Sequence, residues 1–139
     1  MLCPASFVYL CSVNCILRMR ILNFVLAVMF LIFAFLQVND PDPVLWIMIY
    51  GVMAVFCVMA MFAFYPRKVL WVALVALLAY SVIYIPGARE WWGQSDRSAL
   101  FDNVAKMEHL YIEESREFLG LMICAIVVVF YLILSRRRG

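Results

Sequence analysis

The sequence predicts an all-α membrane protein, an antiparallel bundle of four transmembrane helices with an amphipathic helix on the outer surface between helices three and four. Hydrophobic residues make up 68% of the 139 residues and charged residues only 14%, whereas about a quarter of a soluble domain is charged. Four long apolar runs separate the charged segments, and each could cross about 30 Å of hydrocarbon. The sign of the charge alternates from one segment to the next. We therefore expect a single membrane domain.

Four spans are expected in a membrane domain of residues 19–139. A connection of four residues, 39–42, joins the first two spans, and residues 66–68 join the second to the third. Connections this short require antiparallel neighbours. The predicted spans cover residues 19–38, 43–65, 69–86 and 117–135.

Residues 1–18 are predicted to be an N-terminal extension outside that domain. They are apolar, but Pro4 and Asn14 interrupt them, and they are too short for a fifth span. Met19 offers a later start of the chain. A short signal-like stretch is the alternative, although an Ala-x-Ala cleavage site is missing.

The orientation follows from the basic residues beside the spans. One side of the membrane receives seven Lys and Arg and no acid, and the other receives four basic residues with all nine acids. Basic residues concentrate on the cytoplasmic side. Both termini are therefore predicted to be cytoplasmic, and the short loops favour a bacterial inner membrane.

The external segment, residues 87–116, is predicted to contain the amphipathic helix. Trp91 and Trp92 suit the headgroup layer, where an indole N–H stays in water and the ring is buried. An anchoring role is favoured for them over a substrate platform. The apolar positions of the predicted helix recur every three or four residues: Leu100, Phe101, Val104, Met107, Leu110 and Tyr111.

Two polar clusters beside the first and fourth spans form the candidate functional site. If these helices are neighbours, the clusters meet at the outer surface and could bind a cation, a lipid headgroup or a protein partner, with Asp40 paired to Arg116. The alternative is structural, because acids near a helix N-terminus are stabilised by the helix dipole and Asp42 before Pro43 resembles an N-cap. The candidate residues are Gln37, Asn39, Asp40, Asp42, Glu113, Glu114, Arg116 and Glu117.

A metal site is a weaker hypothesis. His109, Glu113 and Glu117 are spaced four apart and would share one helical face, as ligands of zinc or a similar ion do. The chain lacks an HExxH motif, an EF-hand loop and a glycine-rich phosphate loop. We therefore predict no cofactor, with a divalent cation as the alternative.

Two stretches carry a resemblance to a known family. QVNDPDPVLWIMIYG, residues 37–51, and EESREFLGL, residues 113–121, resemble signature stretches of the Transmembrane protein 220 family. The resemblance implies a multi-pass helical membrane protein and assigns no activity to any residue. It adds Pro41 and Gly120 to the positions of interest.

Three classes of function follow. A noncatalytic membrane protein with an external binding cluster is favoured, because it needs only what the sequence contains. An interfacial or metal-dependent enzyme using the Asp and Glu residues is the alternative. A transporter or channel is less favoured, since the span interiors carry no ionisable residue. The expected partners are the lipid bilayer and a protein or second copy of the chain, with no nucleic acid.

Small residues predict where helices approach closely. In the second span these are Gly51 and Ala54, and we expect Gly51→Leu to loosen the fold. Further small surfaces are predicted at Ala73, Ala76, Ala79, Gly120 and Cys124.

Overall fold

The computed structural model describes residues 5–39, 42–93 and 110–138, and this part of the chain contains helices and short turns without a strand. Two short 3-10 turns, Gln37–Asn39 and Val82–Tyr84, follow the first and third α-helices. The α-helices are α1 (Ala5–Leu36), α2 (Pro43–Met61), α3 (Arg67–Ser81), α4 (Ile85–Gly93) and α5 (Leu110–Arg138).

The described helices provide four segments that are long and apolar enough to cross a membrane. The third of these joins α3, the 3-10 turn and α4 into one segment. The predicted all-α membrane class is therefore confirmed. Residues 94–109, where most of the predicted amphipathic helix falls, lie outside the described part, and only Leu110 and Tyr111 of that pattern are seen, at the start of α5. The four segments are Ile16–Leu36, Pro43–Met61, Arg67–Gly93 and Tyr111–Arg137.

The chain divides into two compact units, residues 1–65 and residues 66–139. The first unit, called the first hairpin here, packs α1 against α2. Residues 5–18, predicted as an extension, are helical and continuous with the first span. In the second unit, the second hairpin, α3 and α4 pack against α5.

Aromatic side chains fill the first hairpin. Phe30 of α1 stacks on Tyr50 of α2 with ring centroids 6.3 Å apart, and Trp46 stacks on the same tyrosine at 5.9 Å. Asn23 of α1 and Cys57 of α2 are also fully buried. Burying large aromatic side chains against one another supplies packing energy that apolar lipid cannot replace.

The second helix ends at Met61, before the predicted limit at residue 65. Ala63 takes a left-handed conformation with φ of 60°. Its N–H donates to the Ala60 carbonyl at 3.0 Å, and the Phe64 N–H donates to the Met59 carbonyl at 3.1 Å. These two bonds form a Schellman motif, which satisfies the last carbonyls of the helix and stops it.

The second hairpin is antiparallel. The Ser115 hydroxyl, near the start of α5, donates to the carbonyl of Gly87, near the start of α4. Because α3 also packs along α5, its earlier residues lie beside the later turns of α5. Leucines at positions 70, 74 and 77 form the buried side of α3. The largest fully buried apolar side chains of α5 are Ile112, Leu121, Val128 and Tyr131.

The helix continues through Pro86, where the sequence predicted the end of the third span. A proline inside a helix has no N–H and its ring clashes with the carbonyl four residues earlier, here that of Val82. The Val82 carbonyl instead accepts the N–H of Ile85 across a tighter 3-10 turn. This adjustment lets α4 continue to Gly93. We call residues 81–87 the joint.

The expected close contact at Gly51 is wrong. A Cβ added to Gly51 meets no atom within 4 Å, so the described structure gives no tight contact for this glycine. Ala54 is buried as predicted, whereas Ala76 and Ala79 are exposed. Gly120 and Cys124 are buried in α5 as predicted. The prediction is right where the small residue lies on the buried face of its helix, and wrong where the small residue lies on another face.

Candidate functional site

The second hairpin has one basic end and one acidic end. Arg67 and Lys68 begin α3, and Arg136 and Arg137 lie near the end of α5, so antiparallel packing brings all four to the same end. Glu117 lies nineteen residues before Arg136, a distance of roughly 28 Å along a helix, close to the thickness of the hydrocarbon core. The other end, called the acidic end, carries Arg89, Glu90, Glu113, Glu114, Arg116 and Glu117.

A chain of three polar side chains lies at the acidic end. The phenol of Tyr84 is hydrogen-bonded to the Glu117 carboxylate and, at 2.8 Å, to the phenol of Tyr80. An ionised carboxylate can only accept, so Tyr84 donates to Glu117 and Tyr80 donates to Tyr84. The tyrosine rings also meet edge to face, with centroids 5.3 Å apart. The Glu117 carboxylate, a side chain of α5, is therefore also bound by a hydrogen bond from the joint.

Beside these three hydrogen-bonded side chains, α4 and α5 approach closely at Gly87. The Ser115 hydroxyl is fully buried and lies 3.1 Å from the Gly87 carbonyl and 2.6 Å from the Tyr111 carbonyl. A Cβ added to Gly87 would overlap both the Cβ and the carboxylate of Glu114. Only glycine allows this approach.

The glutamates of α5 differ from their neighbours in exposure. Glu113, Glu114 and Glu117 are half-buried, whereas Arg116 and Glu90 are exposed. Since α5 begins at Leu110, ahead of the predicted start at residue 117, only Glu113 lies in its first turn. The dipole effect weakens beyond that turn. Helix capping therefore explains Glu113 better than Glu117.

The two tryptophans of α4 have different surroundings. Trp92 is 66% exposed, as expected of an anchor in the headgroup layer. The Trp91 ring lies 6.1 Å from it, edge to face. The indole nitrogen of Trp91 is buried with no acceptor among the described residues. The expectation of a wet indole N–H is therefore wrong for Trp91.

The predicted cluster before α2 is only partly described. Gln37 is half-buried and Asp42 is exposed. Pro43 is the first residue of α2 as predicted, but the Asp42 side chain makes no capping hydrogen bond in the described structure. Asp40 and the side chain of Asn39 lie outside the described residues. The pairing of Asp40 with Arg116 stays a prediction.

The metal hypothesis also stays untested. His109 lies outside the described residues. Among the described residues, no three His, Cys, Asp or Glu side chains come together as metal ligands would. Two of the three predicted ligands, Glu113 and Glu117, are one turn apart on α5.

Comparison with known proteins identifies the family of the chain. The family model described as Transmembrane family 220, helix, matches residues 29–133. The chain belongs to this family. The match to Transmembrane family 220 covers parts of both hairpins, residues 29–65 and 66–133, and every residue of the acidic end, and it confirms the predicted resemblance. No curated protein and no solved structure matches the chain.

Four side chains or backbone groups at the acidic end were missed by the sequence reasoning: Tyr80, Tyr84, Gly87 and Ser115. Two tyrosines four residues apart in an apolar run indicate a polar contact between helices, because they share one helical face and each carries a hydroxyl that needs a partner. Gly87 directly after Pro86 is a second indication of this site. Ser115 lies within EESREFLGL, the stretch that marks the family resemblance.

Proposed function

We propose that this member of Transmembrane family 220 is a noncatalytic membrane protein whose acidic end binds the amine of a lipid headgroup. The acidic end then faces the outside, and both termini are cytoplasmic. The bacterial inner membrane is the proposed location. The observation that carries the proposal is the half-burial of three glutamates of α5, one of which, Glu117, is hydrogen-bonded to the phenol of Tyr84.

The charge of the site favours a cationic ligand. The acidic end has four glutamates and two arginines, and both arginines are exposed while the α5 glutamates are half-buried. A half-buried carboxylate loses part of its hydration, so it gains from a neighbouring positive charge. An anionic headgroup would meet repulsion at the same place.

The number of acceptors favours an ammonium group over a metal ion. An ammonium group is a donor that one or two carboxylates can satisfy, and an aromatic face nearby attracts it further. Calcium requires six to eight oxygen ligands. The acidic end offers an ammonium group two carboxylates, those of Glu113 and Glu117, and an exposed aromatic ring, that of Trp92 on the adjacent helix.

The depth of the site agrees with a headgroup. The acidic end lies roughly 28 Å from the basic end, measured along α5 from Glu117 to Arg136. Carboxylates at one membrane interface cost far less than carboxylates at the midplane. A lipid amine occupies the same layer.

The test is thermal unfolding of the purified chain in nanodiscs. Phosphatidylglycerol nanodiscs supply no amine, and increasing fractions of phosphatidylethanolamine supply one. We expect the amine lipid to raise the unfolding temperature of wild type, since a ligand at 100 times its Kd stabilises by about 2.7 kcal/mol. Glu113→Gln/Glu117→Gln should lose this increase. Glu90→Gln removes an exposed carboxylate of α4, separate from the half-buried glutamates of α5 that hold the amine, and should retain it.

Other outcomes separate the alternatives. Repeating the series in chelator and then in calcium, magnesium, manganese or zinc tests the divalent cation. Stabilisation by one of these ions, and not by the amine lipid, would replace the headgroup with a metal. No effect from either would overturn the lipid proposal and direct the search to a protein partner.

A further inference from the structure

The joint between α3 and α4 combines three features that weaken a helix. The Ser81 hydroxyl donates to the Leu78 carbonyl at 2.8 Å, a bond within the helix that favours bending. Residues 82–84 form the 3-10 turn. Pro86 provides no N–H. The 3-10 turn and Pro86 each replace or remove an ordinary helical hydrogen bond across the joint, and the serine bond favours bending, so bending there is easier than elsewhere in the segment.

Little burial holds α4 beyond the joint. Of its nine residues, only Gly87 is buried, and Arg89, Glu90 and Trp92 are exposed. It packs along α5, but this contact buries only the one residue at its beginning. Its position therefore depends on that packing together with the contacts made at the joint.

Two hydrogen bonds tie the joint to α5. Ser115 donates to the Gly87 carbonyl at the beginning of α4. Tyr84 bonds to Glu117, and Tyr80 holds the same phenol from α3 at 2.8 Å. Of these bonds to α5, the one from Tyr84 to Glu117 is made by a side chain of the joint itself. Glu117 lies one turn beyond Glu113 on α5.

We propose that α4 pivots about the joint and that the hydrogen bond from Tyr84 to Glu117 is the latch that holds it against α5. With the latch formed, the Gly87 backbone is pressed against α5 and Ser115 can reach it. With the latch open, the joint bends and α4 moves while α3 keeps its leucine packing. The device depends on contacts within the second hairpin and is independent of any lipid.

The test is hydrogen exchange of the full chain in phosphatidylglycerol nanodiscs, read by mass spectrometry. Tyr84→Phe keeps the ring and removes the donor. We expect exchange of residues 87–93 to rise about fivefold to tenfold, the factor that corresponds to one lost hydrogen bond, because a helix of nine residues that has left α5 is too short to keep its own hydrogen bonds. Exchange of residues 67–77 should stay within about twofold. Tyr80→Phe, the matched control, keeps the bond to Glu117 and should leave α4 within about twofold of wild type.

A rescue distinguishes pivoting from a general loss of stability. Pro86→Ala restores an N–H that can bond to Val82 and straighten the joint. In Tyr84→Phe/Pro86→Ala we expect exchange of α4 to return close to the wild-type rate. The proposal is overturned if Tyr84→Phe leaves α4 unchanged, if it accelerates α3 and α5 equally, or if the double variant exchanges as fast as Tyr84→Phe.

Discussion

Gly87 of α4 lies directly against Glu114 of α5. The contact involves the Cβ of the glutamate as well as its carboxylate, and a Cβ is fixed by the backbone. A rotamer change can therefore move the carboxylate aside but cannot make room for a larger residue at position 87. The distance between the two helix backbones at the acidic end is set by the absence of a side chain.

Gly87→Ala should destabilise the second hairpin by about 1 to 3 kcal/mol, the usual cost of overpacking a close contact. The helices must separate, and the bond from Ser115 to the Gly87 carbonyl lengthens. Thermal unfolding in detergent measures the change. Gly93→Ala is the control, because a Cβ at Gly93 meets no atom within 4 Å. Equal stability of Gly87→Ala and wild type would contradict the close approach.

Ser115→Ala should cost about 0.6 kcal/mol, the mean for a hydrogen bond between membrane helices. The alanine keeps the buried volume nearly constant but leaves the Gly87 carbonyl without this donor. Ser135→Ala is the matched control, since the Ser135 hydroxyl bonds only within its own helix to Leu132 among the bonds described for it. A larger loss at position 135 than at position 115 would show that the bond between helices is unimportant.

Ala63→Gly should stabilise the first hairpin by about 0.5 to 1 kcal/mol. A left-handed conformation costs an L-residue roughly 1 to 2 kcal/mol, and the added freedom of glycine in the unfolded chain cancels part of the gain. Ala63→Val should be destabilising, because a β-branched residue fits that conformation poorly. Unfolding temperatures of the two variants in detergent should therefore move in opposite directions. Movement in the same direction would argue against the φ of 60° at this position.

Gly51→Ala should leave stability unchanged or raise it by up to about 1 kcal/mol, because alanine is the better helix former. The open space around Gly51 accommodates the added methyl group. Ala54→Leu, one turn later and 4% exposed, should instead destabilise the first hairpin. If Gly51→Ala proves the more damaging of the two, the tight packing predicted from the sequence exists after all.

The class of the protein and the beginning of α2 could be predicted from the sequence. Pro43 marks the first residue of α2 because proline suits a first turn, where its missing N–H is not needed. The end of α2 could not be predicted in the same way. Its Schellman motif uses alanine at a position where glycine is the usual indication, so the turn at Ala63 has no distinctive residue.

Pro86 and Gly51 misled the sequence reasoning for different reasons. Proline ends most helices in water, but in a membrane a local 3-10 turn can satisfy the freed carbonyl and let the helix continue. Gly51 lies in a helix that is apolar on every side, so hydrophobic periodicity does not tell which face meets a partner. The bond from Tyr84 to Glu117 joins residues 33 positions apart in the sequence. Only the packing of the second hairpin reveals it.

The order of synthesis gives the joint a transient exposure. Because synthesis runs from the N-terminus, the segment holding Tyr84 and Gly87 leaves the ribosome before Ser115 and Glu117 do. During that interval the phenol and the carbonyl lack their partners on α5, in surroundings where lipid offers few substitutes. Insertion of the nascent third segment should therefore be incomplete or reversible until α5 arrives, and truncated chains ending near residue 109 should be recognised by membrane quality control.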